Sequence, residues 1–270
     1  INELGRFSPA EAVVNDGAYS EKALIATLTE KFRCRVENGG EGRFRLAEAE
    51  KNIRRQFGEE AFDRLPRTNP AAAMALGGLL HYLYETQKTD LSHINDLDYY
   101  EQGRFMELDL TARRNLELTE TLRDREKKGS LLWVLDKTRT PMGGRMLRSW
   151  LERPLLSVTA IVKRNAAVAA LVENTIAREE LTAALTGLGD MERLIGRIVY
   201  GTAGGRDMVS LRAAIERLPA LREQLTAFSG GRLAELAGEL EDLTEIGEHI
   251  GAAICDEPPF SVREGGFIRD

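Results

Sequence analysis

Apolar and polar positions follow two different regimes along the chain, and the change between them divides the sequence. In the first third, short patterns of unlike period succeed one another. Ser8, Pro9 and Glu11 stand in the order of a cap, a first-turn proline and a first-turn carboxylate, which predicts a short helix to about Val14. Asp16 and Gly17 read as a turn, after which Ser20 caps a stretch carrying Leu24, Ile25, Leu28 and Phe32 at helical spacing. Cys34, Val36, Phe44 and Leu46 alternate about Asn38, Gly39 and Gly40 as a hairpin would. Helical spacing returns from Ala47 to Phe57 and stops at Gly58. This is the pattern of a small α/β part, a piece of a larger sheet domain.

Pro66 to Pro70 reads as a hinge and sets a domain boundary between 68 and 69. Asn69 caps and Pro70 opens a helix bearing Met74, Leu76, Leu79, Leu80, Leu83 and Tyr84. Ile94 to Leu110 looks strand-like, and helix signals dominate beyond it. Thr111 opens one helix, Ser130 caps Leu131 to Leu135, and Thr140 with Pro141 begins another that ends before Pro154. Met208, Leu211, Ile215, Leu218 and Leu225 recur at helical intervals, as do Leu236, Leu240, Leu243, Ile250 and Ile254. Two long helices with narrow apolar seams are expected, broken at Gly230 and Gly231 and packed antiparallel as a rod. The fold class is therefore mainly α: long helices over 69–270 preceded by a small α/β part over 1–68.

Composition narrows the function. With 37 basic and 43 acidic residues the net charge is -6, so bulk charge does not hold the chain on a polyanion, and negligible DNA binding by the isolated chain is expected. An aromatic content of 6% disfavours a stacking platform for single strands. A hydrophobic content of 43% excludes a disordered chain. Cys34 and Cys255 make no disulfide framework and fit a reducing compartment. The run from Ala71 to Leu80 is about half of the ~20 residues a membrane span needs, so no membrane association is expected. Residues 1–6 lack an initiator Met and the features of a signal peptide. Phe260 and Val262, then Gly265 and Gly266, then Phe267 and Ile268, read as strand, turn and an unfinished second strand. Both ends are expected to be cut points in a longer protein.

Catalytic chemistry is hard to place. The glycine, lysine and hydroxyl spacing of a phosphate-binding loop does not occur. His81, His93 and His249 are remote from one another and from both cysteines, so local spacing builds neither a zinc site nor a nucleophile pair. Adjacent carboxylates such as Glu59 with Glu60 and Glu179 with Glu180 read as solvated helix charge. No catalytic, cofactor-binding or metal-binding residue is assigned, and no cofactor is expected in this chain. The informative stretch runs from Lys137 to Arg153, where Lys137, Arg139, Arg145, Arg148 and Arg153 surround an apolar helix with Met142, Met146, Leu147, Trp150 and Leu151. Arginine is a planar bidentate donor suited to carboxylate or phosphate. Arg139, Arg145, Arg148 and Arg153 are the candidate contacts to another domain or a partner. In the competing reading the apolar residues are core, Thr140 caps, Gly143 and Gly144 allow close packing, and the arginines pair internally.

As a string this stretch is more specific than its chemistry. Thr138, Thr140, Pro141, Met142, Gly143, Arg145, Leu147, Arg148, Trp150, Leu151, Pro154 and Leu155 resemble the signature of the MutS family of DNA mismatch repair proteins. Met106, Leu108, Asp109, Thr111 and the run from Arg113 to Leu118 are similar to that family's upstream segment. Ser130, Leu131, Leu132, Leu135 and Asp136 follow in order, as do Asp190, Glu192, Arg193, Leu194, Arg197 and Ile198. Pro258, Pro259, Gly265 and Gly266 resemble the passage leading to its clamp. The likeness covers nearly the whole chain, strongest from about Ala71. It implies that 1–68 is the end of the connector domain and 69–270 the first part of the helical core or lever domain, stopping before the clamp. The mismatch-sensing and ATPase domains would lie outside the chain. ATP and Mg, mismatched DNA, a MutL-type partner and a homodimer are then expected of the full-length protein, in a cytoplasmic, nucleoid-associated setting. A freestanding helical adaptor for another protein is the alternative.

Overall fold

The computed structural model describes residues 2–7, 9–65, 69–87, 91–99, 103, 105–260 and 262–269. Contacts separate it into two compact units, 1–102 and 103–270. Among the described residues the chain is mainly helical with one small sheet near its start, as its patterning predicts. The division after Gln102 lies well beyond the expected 68/69, and the reason is visible in how the Pro70 helix packs.

Unit 1 runs α1 (Asn2–Phe7), β1 (Glu11–Val14), α2 (Asp16–Ser20), α3 (Lys22–Ala26) with a π turn (Thr27–Lys31), then β2 (Arg35–Asn38). A 3-10 turn (Gly42–Phe44), α4 (Leu46–Phe57), a second 3-10 turn (Phe62–Arg64) and α5 (Pro70–Thr86) follow. β1 and β2 pair in parallel, from Glu11 opposite Arg35 to Val14 opposite Asn38. A parallel pair requires a crossover, which α2, α3 and the π turn supply. Three expectations give way here. The segment after Pro9 is a strand and not a helix, because the Val13 and Val14 backbone gains a ladder that outweighs the local cap signal; Ser8 lies outside the described residues. No hairpin forms about Gly39, because β2 already pairs with β1 and Phe44 turns back onto α5. A Cβ on Gly78 would come within 2.4 Å of that ring. The Asp16–Gly17 turn is instead the start of α2, whose cap Asn15 accepts from the Ala18 N–H at 3.0 Å.

α4 and α5 hold the core of unit 1. Ala49 and Ile53 are fully buried with Ala61, Leu65, Ala73 and Leu80. Gly77 of α5 lies so close to α4 that a Cβ there would sit 2.3 Å from the Ala49 Cα. This contact places α5 in the first unit. α4 ends at Gly58 (φ 93°) and α5 begins at Pro70, as their spacing predicts, although Asn69 makes no side-chain cap bond. Pro66, Arg67 and Thr68, the centre of the expected hinge, lie outside the described residues. The strand-like passage from Ile94 is irregular where described. Gln56 of α4 donates to the Leu91 and Ile94 carbonyls at 2.8 and 2.7 Å, and Tyr84 donates to Gln56 at 2.8 Å, so α4 rather than a neighbouring strand satisfies this backbone.

Unit 2 comprises α6 (Leu110–Asn115), α7 (Leu131–Leu135), α8 (Pro141–Glu152), α9 (Val158–Glu173), α10 (Thr175–Leu185) and α11 (Met191–Val199). It continues with α12 (Gly205–Ile215), α13 (Leu218–Thr226), α14 (Gly231–Glu239), α15 (Thr244–Ala253) and a 3-10 turn (Val262–Glu264). Each of α6 to α11 starts at a side chain that accepts the backbone N–H three residues on: Asp109, Ser130, Thr140, Ser157, Asn174 and Asp190. Such a cap contributes about 1 kcal/mol. The cap that opens α6 is thus Asp109 and not Thr111.

The two apolar seams are present, but neither lies on one continuous helix. α12 pairs with α15 and α13 with α14, the nested order of an antiparallel hairpin. Both arms are interrupted. Pro219, in the first turn of α13, has no N–H to continue α12, and Leu240 turns extended after α14 before Asp242 accepts from the Thr244 N–H at 2.9 Å. The seam residues therefore feed two cores. Leu225, Leu233 and Ala237 join Ala177, Leu181 and Phe228, whereas Leu211, Ile215 and Ile250 join Met191, Leu194 and Ile198. Near the end of the chain, Ile268 bridges antiparallel to Ile254, Cys255 donates to the Phe267 carbonyl at 3.0 Å, and Arg269 donates to that of Ala253 at 2.8 Å. The return partner is thus the residue after α15. Phe260, expected in a strand, stands 84% exposed, and Ser261 lies outside the described residues.

Candidate functional site

The candidate arginines belong to α8 and its flanking loops. α7 is seated first: Leu131 and Leu132 donate backbone N–H groups to the Glu117 and Leu118 carbonyls at 2.9 and 2.8 Å. Ser130 is fully buried, its hydroxyl donating to the Lys127 carbonyl at 2.7 Å while accepting from the Trp133 N–H at 3.2 Å. After α7, the Asp136 carboxylate takes the Lys127 ammonium at 2.6 Å and the Thr138 hydroxyl at 2.6 Å. These bonds, Lys127 foremost, hold its pKa down to about 2. Thr140 then caps α8, accepting from Gly143 at 3.0 Å. A Cβ on Gly143 would sit 3.0 Å from the Thr140 Oγ1, and one on Gly144 would sit 3.4 Å from the Thr138 Oγ1, so the two glycines admit the loop against the first turn.

From this platform the four arginines take different surroundings. Arg145 reaches α11: its Nη1 and Nη2 donate to the two Asp190 carboxylate oxygens at 2.8 and 2.7 Å, and its Nε donates to Glu192 at 3.0 Å. The bidentate fork raises the Arg145 pKa and lowers that of Asp190, whose other role is to cap α11 through the Arg193 N–H at 3.2 Å. Arg148 pairs with Glu152 one turn on, at 3.1 Å. Arg153 lies over the Phe105 ring at 4.8 Å, beside the Phe105–Leu155 bridge. Arg139 is exposed and has no ion-pair partner among the described residues. Three of the four are thus engaged inside unit 2, and Arg139 alone is left outward.

Sequence reasoning missed the surface that surrounds them. Trp150, read as core in the competing interpretation, is half-exposed with the Arg164 guanidinium 3.5 Å from its ring centroid, and burial lowers the Arg164 pKa. Met146 and much of α7 and α9, including Trp133, Val134, Val158 and Val162, are exposed as well. Adjacent apolar residues in the five-residue α7 were the available signal, since so short a helix buries only one side. Among the described residues no group of acidic, His and Cys side chains is placed to hold a metal ion, and no helix is long and apolar enough to cross a membrane.

What this geometry defines is a structural segment of two units, rich in capped helices, with Lys127, Arg145 and Arg148 paired internally. A family model for MutS domain II matches residues 1–95 and one for MutS domain III matches residues 111–270, either side of the division after Gln102. The chain belongs to the MutS family. Three relatives carry the name DNA mismatch repair protein MutS. That of Desulforamulus reducens is 44% identical over 81% of this chain and 25% of its own length. Those of Listeria monocytogenes serotype 4a and Symbiobacterium thermophilum are 43% and 39% identical over 100% of this chain and 30% and 31% of their lengths. The chain therefore spans less than a third of these relatives.

Proposed function

We propose that the chain is the coupling part of a MutS-like DNA mismatch repair protein, joining mismatch recognition and DNA clamping to an ATPase domain outside the sequence. In this reading unit 1, which holds α5, serves as the end of the connector and unit 2 as the start of the lever. ATP and Mg act in the full-length homodimer, which engages mismatched DNA and a MutL-type protein in the cytoplasm and at the nucleoid. Of the four candidate arginines, Arg139 serves as the interdomain contact, while Arg145, Arg148 and Arg153 hold unit 2 together.

The observation that supports this reading is a continuous chain of ties through unit 2. Arg145 fastens α8 to Asp190 at the head of α11, α11 packs in the core of α12 and α15, and the segment after α15 is fixed back on itself at Ile254 and Ile268. Arg206 donates to the Pro258 carbonyl at 3.1 Å, and a Cβ on Gly205 would meet Pro258 at 2.7 Å, so the exit is fixed to the start of α12 too. Coupling between distant sites requires a physical element that both of them bias.

The test uses the full-length protein. A flexible Gly-Ser insertion after Asp256 is expected to slow ATP-dependent release of mismatched DNA, whereas the same insertion between Gly230 and Gly231, at the far tip of the hairpin, leaves release intact. Unchanged release with the insertion after Asp256 refutes the coupling role.

A further inference from the structure

Two steps of the sequence in unit 1 are chemically labile, and the fold brings them into contact. Asn38–Gly39 is the only Asn–Gly step in the chain and Asp16–Gly17 the only Asp–Gly step. At such a step the second residue has no Cβ to keep its backbone nitrogen from the preceding side-chain carbonyl carbon, and asparagine is a thermolabile residue. The Asn38 Nδ2 donates to the Asp16 Oδ1 at 2.8 Å, the Glu41 N–H donates to the Asp16 Oδ2 at 3.1 Å, and the Gly17 N–H donates to the Glu41 Oε1 at 3.4 Å. Asn38 and Asp16 are exposed, so water reaches both.

The fold requires the glycine that makes Asn38 reactive. A Cβ on Gly39 would lie 2.8 Å from the Val13 Cγ1 and 3.1 Å from the Phe44 ring. The same fold restrains the reaction. The Gly39 N–H, whose nitrogen is the nucleophile, donates to the Val14 carbonyl at 2.8 Å in continuation of the β1–β2 ladder, and the Asn38 Oδ1 accepts from the Gly40 N–H at 2.9 Å. With both groups held by other partners, ring closure waits for local opening. We propose that Asn38 is a self-modification site gated by the β1–β2 pair, inert while the pair is closed and converted irreversibly when it opens. On opening, the Gly39 nitrogen gives its proton to solvent base and bonds to the Asn38 Cγ; the side-chain nitrogen leaves as ammonia, and a five-membered succinimide remains. Water then adds at Cγ, breaking the new bond and leaving aspartate, or at the main-chain carbonyl carbon, breaking the original peptide bond and leaving isoaspartate. Aspartate sets a carboxylate against Asp16 where an amide had donated. Isoaspartate lengthens the main chain by one carbon and moves the Gly39 N–H out of line with Val14. Either way the sheet end does not re-form as it was. This property belongs to unit 1 alone and goes beyond the coupling role.

The test incubates the folded 270-residue chain and a synthetic peptide spanning Val36–Arg43 in the same mildly alkaline buffer, and follows conversion at position 38 by mass spectrometry and isoaspartate content. Conversion in the chain is expected to be at least tenfold slower than in the peptide. Asp16→Ala, which removes the acceptor of the Asn38 and Glu41 donors, is expected to raise the rate in the chain at least threefold and to speed hydrogen exchange of the Gly39 amide by the same factor. Circular dichroism checks that this variant is folded. Urea below the unfolding transition opens the pair in the unaltered chain and is expected to raise conversion and Gly39 exchange together. Asn38→Asp is expected to speed exchange of the β1 and β2 amides, and the uncharged Asn38→Ser to speed it less. The proposal is overturned if the folded chain converts as fast as the peptide, if conversion and Gly39 exchange do not rise together, or if Asn38→Asp exchanges no faster than the parent.

Discussion

Replacing Gly77 by alanine puts one methyl group where α4 and α5 already touch. The added Cβ would lie 2.3 Å from both the Cα and the Cβ of Ala49 and 3.3 Å from its backbone nitrogen. Carbon atoms rest at about 3.5–4.0 Å, so the helices must part by roughly 1–1.5 Å. No flexible side chain can yield in their place, since Ala49 is fully buried and the obstruction is backbone. Separation also loosens Ile53 and Leu80, the most enclosed apolar side chains of that core. Overpacking costs about 1–3 kcal/mol, and an unyielding neighbour puts this site near the upper end. Alanine returns about 1 kcal/mol through its helix preference. The expected net loss is about 2 kcal/mol, roughly a 30-fold rise in the opening equilibrium of α4 and α5, read by hydrogen exchange of their amides. Gly196→Ala in α11 is the matched control: nothing lies within 4 Å of its Cβ, so the same change should stabilise by about 0.5–1 kcal/mol. Exchange in Gly77→Ala as slow as in the parent would refute the close-packing account.

Two further outcomes follow from the α8 platform. Asp136 has a folded pKa depressed from 3.8 to about 2, so its stabilising contribution is fully present above 3.8 and is lost as pH falls toward 2. Asp136→Asn should therefore lower the melting temperature at neutral pH and flatten its fall across that acid window; an unchanged slope would mean the Lys127 and Thr138 bonds do not persist in solution. Arg145→Ala should speed hydrogen exchange at the start of α11 while leaving α4 and α5 untouched, because Asp190 keeps its capping bond to Arg193 but loses its bidentate partner. Unaltered exchange in α11 would show that the fork does not hold α8 to α11.

What was legible in the sequence was local. Ser130, Thr140 and Pro70 mark helix starts through bonds or ring constraints that reach no farther than one turn, and Gly58 marks a stop by its positive φ. The mainly helical class follows from many such marks and from the seam spacing. The β1–β2 pair escaped because its partners lie on either side of two short helices, and nothing in four residues says which distant segment will complete the ladder. The seams gave the period correctly and the continuity wrongly, although Pro219 stands within one of them as a visible interruption. At the candidate site, the family string located α8 and its arginines. It did not give the tie from Arg145 to Asp190 and Glu192, which are 45 and 47 residues away and whose acids could equally have been solvated.

The interruptions at 216–217 and 240–243 face each other across the hairpin, because α12 lies on α15 and α13 on α14. Such an arm is jointed. Each half has its own apolar core, and at the level between them the helical ladder is thinned, carried on one arm by Arg217 donating to Ala214 and accepting from Leu221 and broken on the other where Leu240 turns extended. Flexion concentrates at that one level, so a displacement applied to one half reaches the other as a change of angle rather than being dissipated along its length.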